Sequence, residues 1–300
     1  MASIESKLFI LLLKLIRKKE LLQLQFAFGK FDFYKSQEPP PEVLKHCHVA
    51  KKSVEGRNVF TLSPRTGETN KRVLYLHGGA YVQNFVKQHW TFLAYLVRHA
   101  RCTVIAPDYP LAPKHTYKDS YLMVTSLYRE LISQCNPNDF IVMGDSAGGG
   151  FALGLAQNMK ELGIEQPSQI ILLSPWLDLA LKNPEIKNIN PSDPFLGIHG
   201  LQKAGLLYAG GTDLENYLLS PIYGPLEGLG KISVFIGSRD LLVADTRKLA
   251  KIMKVANEPL NYFEYEDMIH VWMLLNFPES KVAKEQIINL INQQEEVLNV

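Results

Sequence analysis

A covalent acyl transfer needs a serine that can be made nucleophilic, a histidine to take its proton and a carboxylate to orient that histidine. Ser146 lies in Gly144-Asp145-Ser146-Ala147-Gly148-Gly149. Gly-x-Ser-x-Gly alone is a weak signal, because ordinary residue usage yields about 0.1 chance matches in a chain of this length. Its setting is what raises it. The motif follows the apolar run Phe140–Met143 and opens a stretch of small residues reading as helix Ala147–Leu162, the strand–turn–helix context of a nucleophile elbow. Glycines allow the strained turn and the close helix packing, and the helix N-terminus sets free N–H groups beside the serine.

A second glycine-rich turn, His77-Gly78-Gly79-Ala80-Tyr81, follows the strand pattern Arg72–His77. Its backbone N–H groups, at Gly78, Gly79 and Ala80, are candidates for an oxyanion hole completed by the Ala147 N–H. Asp240 ends the segment Ile236-Gly237-Ser238-Arg239-Asp240, at a strand's C-terminal end, where sites of parallel sheets lie. His270 follows the last strand pattern and can reach back to Ser146, with Asp240 holding its tautomer. Asp245 is a poorer orienter because it falls in the next helix. Glu266 and Asp267 are too near His270 in sequence to approach it from its far side.

These residues need a frame. Short apolar runs at Thr103–Pro107, Phe140–Met143, Gln169–Leu173, Ile232–Ile236 and Leu260–Tyr265 alternate with helical stretches, including His89–Ala100, Tyr117–Cys135 and a last one from Lys281 to Val297. Runs without polar alternation are buried on both faces, so the expected architecture is α/β, a mostly parallel, doubly wound sheet. His48–Val54 and Asn58–Ser63 read as an edge hairpin. Between Trp176 and Pro221 the rhythm stops. That stretch exceeds the roughly 15 residues a plain connection uses and reads as an inserted helical cap over about 177–220. Pro39-Pro40-Pro41 separates an N-terminal helical segment, residues 1–38, from a catalytic domain over 42–300.

Composition excludes several classes. The formal net charge of +2, without a long basic block, does not suggest nucleic-acid binding. Three scattered cysteines do not make a secreted disulfide framework and suit a reducing, cytoplasmic setting. Leu8–Leu13 is shorter than the roughly 20 apolar residues of a membrane span, and no small-residue cleavage site follows it. A helix from Ser3 to Glu20 is expected there, lying over a groove of its own protein or weakly touching an anionic lipid surface. His46 and His48 resemble a metal pair but lack a nearby third ligand, and the chemistry requires no metal or cofactor. A homo-oligomer is compatible with everything in the sequence.

HGGAY, DYPLAP at Asp108–Pro113, GDSAGG, SPW at Ser174–Trp176, RDLLVAD and the late His270 together resemble the hormone-sensitive-lipase-like branch of bacterial esterases, over roughly residues 65 to 275. The resemblance implies an α/β-hydrolase fold with a helical cap built partly from the N-terminus. It implies hydrolysis of small-molecule carboxylic esters of short to medium acyl chain through an acyl-enzyme on Ser146. Activated amides or formamides are the alternative substrates, and a non-catalytic binding relative is a remoter one. Tyr81, Phe85, Asp145 and Trp176 are candidate pocket residues, Asp145 also by ordering the loops around the site. Three departures stand out: Ala80 replaces the family's third glycine, Pro110 its arginine and Lys114 its glutamate, so a structural ion pair is expected to be missing.

Overall fold

The computed structural model describes residues 2–29, 31 and 38–292. Eight strands form one sheet in the order β1-β2-β4-β3-β5-β6-β7-β8. The antiparallel hairpin is β1 (Cys47–Val54) and β2 (Arg57–Pro64), and β2 runs antiparallel to β4 (Thr103–Pro107). From there β4, β3 (Arg72–Leu76), β5 (Phe140–Asp145), β6 (Gln169–Leu173), β7 (Lys231–Gly237) and β8 (Leu260–Tyr265) pair in parallel. The sheet is therefore mostly parallel, as expected.

Alternating side chains supply two cores, because successive Cβ atoms leave opposite faces of a strand. On β3, Leu74 and Leu76 join one apolar cluster and Val73 and Tyr75 the other. On β5, Val142 joins the first while Ile141 and Met143 join the second. Burial on both faces explains why the interiors of these strands carry no charged residues.

In chain order the helices are α1 (Ile4–Leu15), α2 (Lys18–Ala27), the single turn α3 (Pro41–Leu44), α4 (Lys87–Ala100), α5 (Tyr117–Ile132) and α6 (Ala147–Glu161). Then come α7 (Ile186–Ile189), α8 (Ile198–Ala209), α9 (Val243–Val255) and α10 (Pro278–Asn292). The expected tail of the last helix, 293–297, lies outside the described residues. The stretch between β6 and β7 carries α7 and α8, with Pro191 and Pro194 between them.

The N-terminus differs from the single helix expected over Ser3–Glu20. Arg17 takes a left-handed conformation, φ 50°, which ends α1 and restarts the chain as α2. The two halves have different duties. Ile10 and Leu13 of α1 join the core that contains Phe277 and Ile287, and the Ser3 and Ser6 hydroxyls meet the Glu279 carboxylate. In contrast, α2 packs on α8: the Phe26 ring lies 3.1 Å from where a Cβ on Gly200 would sit.

Candidate active site

Strand β5 runs straight into Ser146, whose φ of 54° and ψ of −121° place a non-glycine residue in a strained turn. The strain is held by backbone bonds on both sides: the Ser146 N–H donates to Leu173 O at 2.8 Å, and its carbonyl accepts the Trp176 N–H at 2.9 Å. Gly148 is required by close approach, since a Cβ there would lie 2.0 Å from Leu76 O.

The three chemical groups meet. His270 Nε2 lies 2.9 Å from Ser146 Oγ, and His270 Nδ1 lies 2.8 Å from Asp240 Oδ2. A proton on Nδ1 donated to the carboxylate leaves Nε2 free to accept from the serine hydroxyl. Burial alone would lower the His270 pKa, but the adjoining Asp240 charge and hydrogen bond, with help from Asp193 and Asp145, outweigh it and raise the pKa.

The loops carrying Asp240 and His270 are laced together. Arg239 N–H donates to Met268 O, its guanidinium pairs with Asp267 at 2.6 Å, and Val271 N–H donates to Ser174 Oγ. Thus Asp267 is spent on Arg239 rather than on the histidine. Asp245 sits on α9, where its Oδ1 accepts from Asn183 at 3.1 Å, so it too is turned to other work.

The first glycine turn is shaped from below by Asp145. Its Oδ1 accepts the Tyr75 hydroxyl at 2.6 Å and the Gly78 N–H at 2.8 Å, and its Oδ2 faces His89 Nε2 at 3.3 Å. Burial disfavours ionisation of Asp145, yet its contacts with His89, Tyr75 and Gly78 outweigh this and lower its pKa. Two expectations change here. Gly78 spends its N–H on Asp145, which removes it as an oxyanion donor. Asp145, with both oxygens engaged inside the protein, orders the loop and does not line a pocket.

The N–H groups of Gly79, Ala80 and Ala147 make no hydrogen bond within the described structure. Gly79, at φ 124°, must be glycine, since a Cβ would come within 2.4 Å of Gln83 O. Ala80 adopts φ 53° and Tyr81 φ 61°, so alanine does hold the left-handed conformation for which glycine is the usual choice.

Tyr81 stacks on Tyr208 of α8 with 3.9 Å between centroids, and Trp176 lies beside it at 5.9 Å. These two expected pocket residues therefore sit where the helical insertion meets the glycine turn. Phe85 does not join them. Its ring packs against His77 at 4.3 Å and Trp90 at 4.4 Å, which commits it to the core. His77 is itself fully buried, and burial, with the nearby His89, pushes its pKa down to about 3.

Two residues of the insertion were missed in the sequence. Phe195 stacks over His270 with 6.1 Å between ring centroids. Asp193 accepts the N–H groups of Phe195 at 2.7 Å and Leu196 at 2.9 Å through Oδ1, and that of Leu241 at 2.7 Å through Oδ2. Burial, then the charge of Asp240, push its pKa up to about 6. The available signal was Asp193-Pro194 followed by apolar residues, a turn in which aspartate bonds the backbone two residues on. The same loop carries an ion pair at other positions: Arg57 of β2 reaches Asp108 at 2.5 Å.

Among the described residues, no group of three His, Cys, Asp or Glu side chains is placed to hold a metal, and His46 and His48 have no third partner. Nor is any described helix long and apolar enough to cross a membrane.

A family model for the alpha/beta hydrolase fold matches residues 73–274, the span that carries Ser146, Asp240, His270 and both glycine turns. The chain belongs to the α/β-hydrolase fold family. Its motifs resemble those of the hormone-sensitive-lipase-like branch, and its relatives include an esterase and an acetyl-hydrolase. An esterase of Acinetobacter venetianus is 31% identical over 220 residues, 72% of each chain. An acetyl-hydrolase of Streptomyces hygroscopicus is 30% identical over 221 residues, 73% of this chain and 74% of its own. The solved structure of an esterase/lipase from an uncultured bacterium superposes with a TM-score of 0.82 at 25% identity, covering 98% of this α/β-hydrolase chain and 99% of the other.

Proposed function

We propose that this α/β-hydrolase cleaves small-molecule carboxylic esters of short to medium acyl chain through an acyl-enzyme on Ser146. The observation that carries the reading is the continuous chain of contacts from Ser146 Oγ through His270 to Asp240, at 2.9 and 2.8 Å. His270 takes the serine proton as Oγ attacks the ester carbonyl, and Asp240 stabilises the imidazolium. The developing oxyanion accepts from Gly79, Ala80 and Ala147, whose N–H groups have no other partner in the described structure. The alkoxide leaves with the proton from His270. Water, deprotonated by the same histidine, then releases the acid.

The cap is built from α2 and the insertion carrying α7 and α8, which gives a functional division of residues 1–38 and about 177–220 from the remainder of 42–300. Support comes from the packing of α2 on α8 and from Phe195 over His270. So little of Ser146 and His270 is exposed, 8% and 5%, that short acyl chains fit the reading best. The cysteines Cys47, Cys102 and Cys135 are all unpaired, in keeping with a cytoplasmic setting.

The test is hydrolysis of p-nitrophenyl esters from acetate to palmitate, with Ser146→Ala beside the wild type. Turnover that peaks at short chains and falls by about 10⁴-fold or more in the variant is expected. A folded Ser146→Ala protein with undiminished turnover would overturn the assignment. Activity confined to amides would move the substrate class and leave the nucleophile standing.

A further inference from the structure

The exposed apolar side chains of this protein are not scattered. Of the sixteen large hydrophobic residues that are exposed among the described residues, nine lie between Ile4 and Phe28. Helix α1 carries two apolar stripes. Ile10 and Leu13 face the protein core, while Ile4, Leu8, Leu11 and Leu15 are 74%, 61%, 52% and 72% exposed. The second set recurs at intervals of four, three and four residues, which is one face of a helix turned away from the buried one. Past Ile16 the pattern resumes in α2 and its cap, with Leu21, Leu24 and Phe28 exposed and Phe26 buried.

Charge follows the same segment. Residues 2–29 hold five cationic side chains, Lys7, Lys14, Arg17, Lys18 and Lys19, against Glu5 and Glu20, whereas the whole chain carries a net charge of only +2. Lys7 and Lys14 project one step round the helix from the outward stripe, where long side chains can lay their stems along apolar surface and lift their charge out of it. An exposed apolar stripe bordered by cations is the pattern of a helix lying in the interface of a bilayer, not across it.

We propose that the outward face of α1, continued into α2, docks this protein on a membrane surface bearing anionic headgroups. The docking face adjoins the cap. Lys18 stands over the Phe195 ring at 5.7 Å, and Lys19 donates to the carbonyls of Asn190 and Asp193. Phe195 in turn stacks on His270, so one layer of side chains separates the docking helices from the catalytic base. Esters dissolved in the bilayer are then the substrate source. That last step rests on the ester-hydrolase reading; the docking itself does not.

The experiment is co-sedimentation of the full chain with vesicles of phosphatidylcholine alone and of phosphatidylcholine with about a third phosphatidylglycerol, at low and high salt. Binding to the anionic vesicles is expected, weakened by salt and reduced at least roughly tenfold by the surface double substitution Leu11→Glu/Leu15→Glu. Turnover of a water-soluble short-chain ester by that variant should stay at the wild-type level, which shows that it folds and keeps the docking question apart from the catalytic one. Failure of the wild type to bind anionic vesicles, or equal binding by the variant, overturns the proposal. So does a concentration-dependent dimer, dissolved by the same substitution, in a protein that ignores vesicles: the occupant would then be a second copy of this chain.

Discussion

Asp193 holds the turn that presents Asp240. Its Oδ2 accepts the N–H of Leu241, the residue directly after the carboxylate that meets His270, at 2.7 Å. Its other oxygen gathers the backbone of Phe195 and Leu196, and Phe195 is the residue stacked on the histidine. One buried carboxylate thus ties the insertion to two residues of the proposed triad, Asp240 and His270. In Asp193→Asn the amide can still accept from Phe195 and Leu196, but its NH₂ then opposes the Leu241 N–H, donor against donor. A small displacement of a reacting group can cost up to about 10²-fold. The expected result is a fall of about tenfold to a hundredfold in kcat with little change in KM, and a shifted pH profile. Unchanged kcat and profile would limit Asp193 to supporting the fold.

In the proposed mechanism the raised pKa of His270 sets the acid limb of activity. The imidazole must be neutral to accept the serine proton, and Asp240 favours its charged form. Turnover should therefore rise with pH through a midpoint above the ordinary histidine value of 6.5. Replacing the carboxylate by Asp240→Asn removes the charge that raises that pKa, so the limb moves to lower pH in whatever activity survives. Profiles of kcat/KM for the two proteins check both statements, and a midpoint unmoved by the substitution would contradict them.

Ala80 bears the cost of a left-handed backbone, φ 53°. That conformation costs an L-residue roughly 1–2 kcal/mol, partly offset on replacement by the greater chain entropy of glycine. Ala80→Gly is expected to stabilise the protein by about 0.5–1 kcal/mol and to keep turnover, because the N–H remains. Thermal unfolding read beside ester hydrolysis tests this. A lower midpoint would mean that the Ala80 methyl contributes more packing than the strain takes away.

Asp245 weakens the fold at neutral pH. Burial pushes its pKa up to about 6 from an ordinary 3.8, and its Oδ2 has no hydrogen-bond partner. A carboxylate whose folded pKa is raised destabilises above that value, and the penalty fades as pH falls through 6 towards 3.8. Asp245→Asn should therefore be more stable than the wild type by roughly 1–3 kcal/mol at about pH 7, with the gap closing by about pH 4. Denaturant unfolding across that range measures it; a gap that does not narrow would assign the effect to packing.

Much of this was legible in the chain itself. The nucleophile elbow, the glycine turn and the strand ends at Asp240 and His270 are local patterns, each made of residue types that only a few backbone geometries accept. The buried strands were readable because a sheet covered on both faces tolerates no polar alternation. What misled was equally specific. The run Ser3–Glu20 has no glycine or proline to mark a break, and Arg17 becomes left-handed because α1 and α2 dock on different parts of the protein. Phe85, a candidate pocket residue by sequence, instead gives its ring to contacts with His77 and Trp90.

By itself the sequence determined the order of the strands and most of the helices and pointed to the candidate reactive groups, since periodicity and turn chemistry act over a few neighbouring residues. Tertiary structure decided the partners. Whether the Gly78 N–H faces a substrate or Asp145, whether Asp108 meets Arg57, and whether Asp193 stands beside Asp240 all depend on contacts between residues far apart in the chain. Those contacts are set by how the sheet and the insertion close on each other. No local pattern encodes that closure, because its energy is shared among many buried side chains, none of them decisive alone.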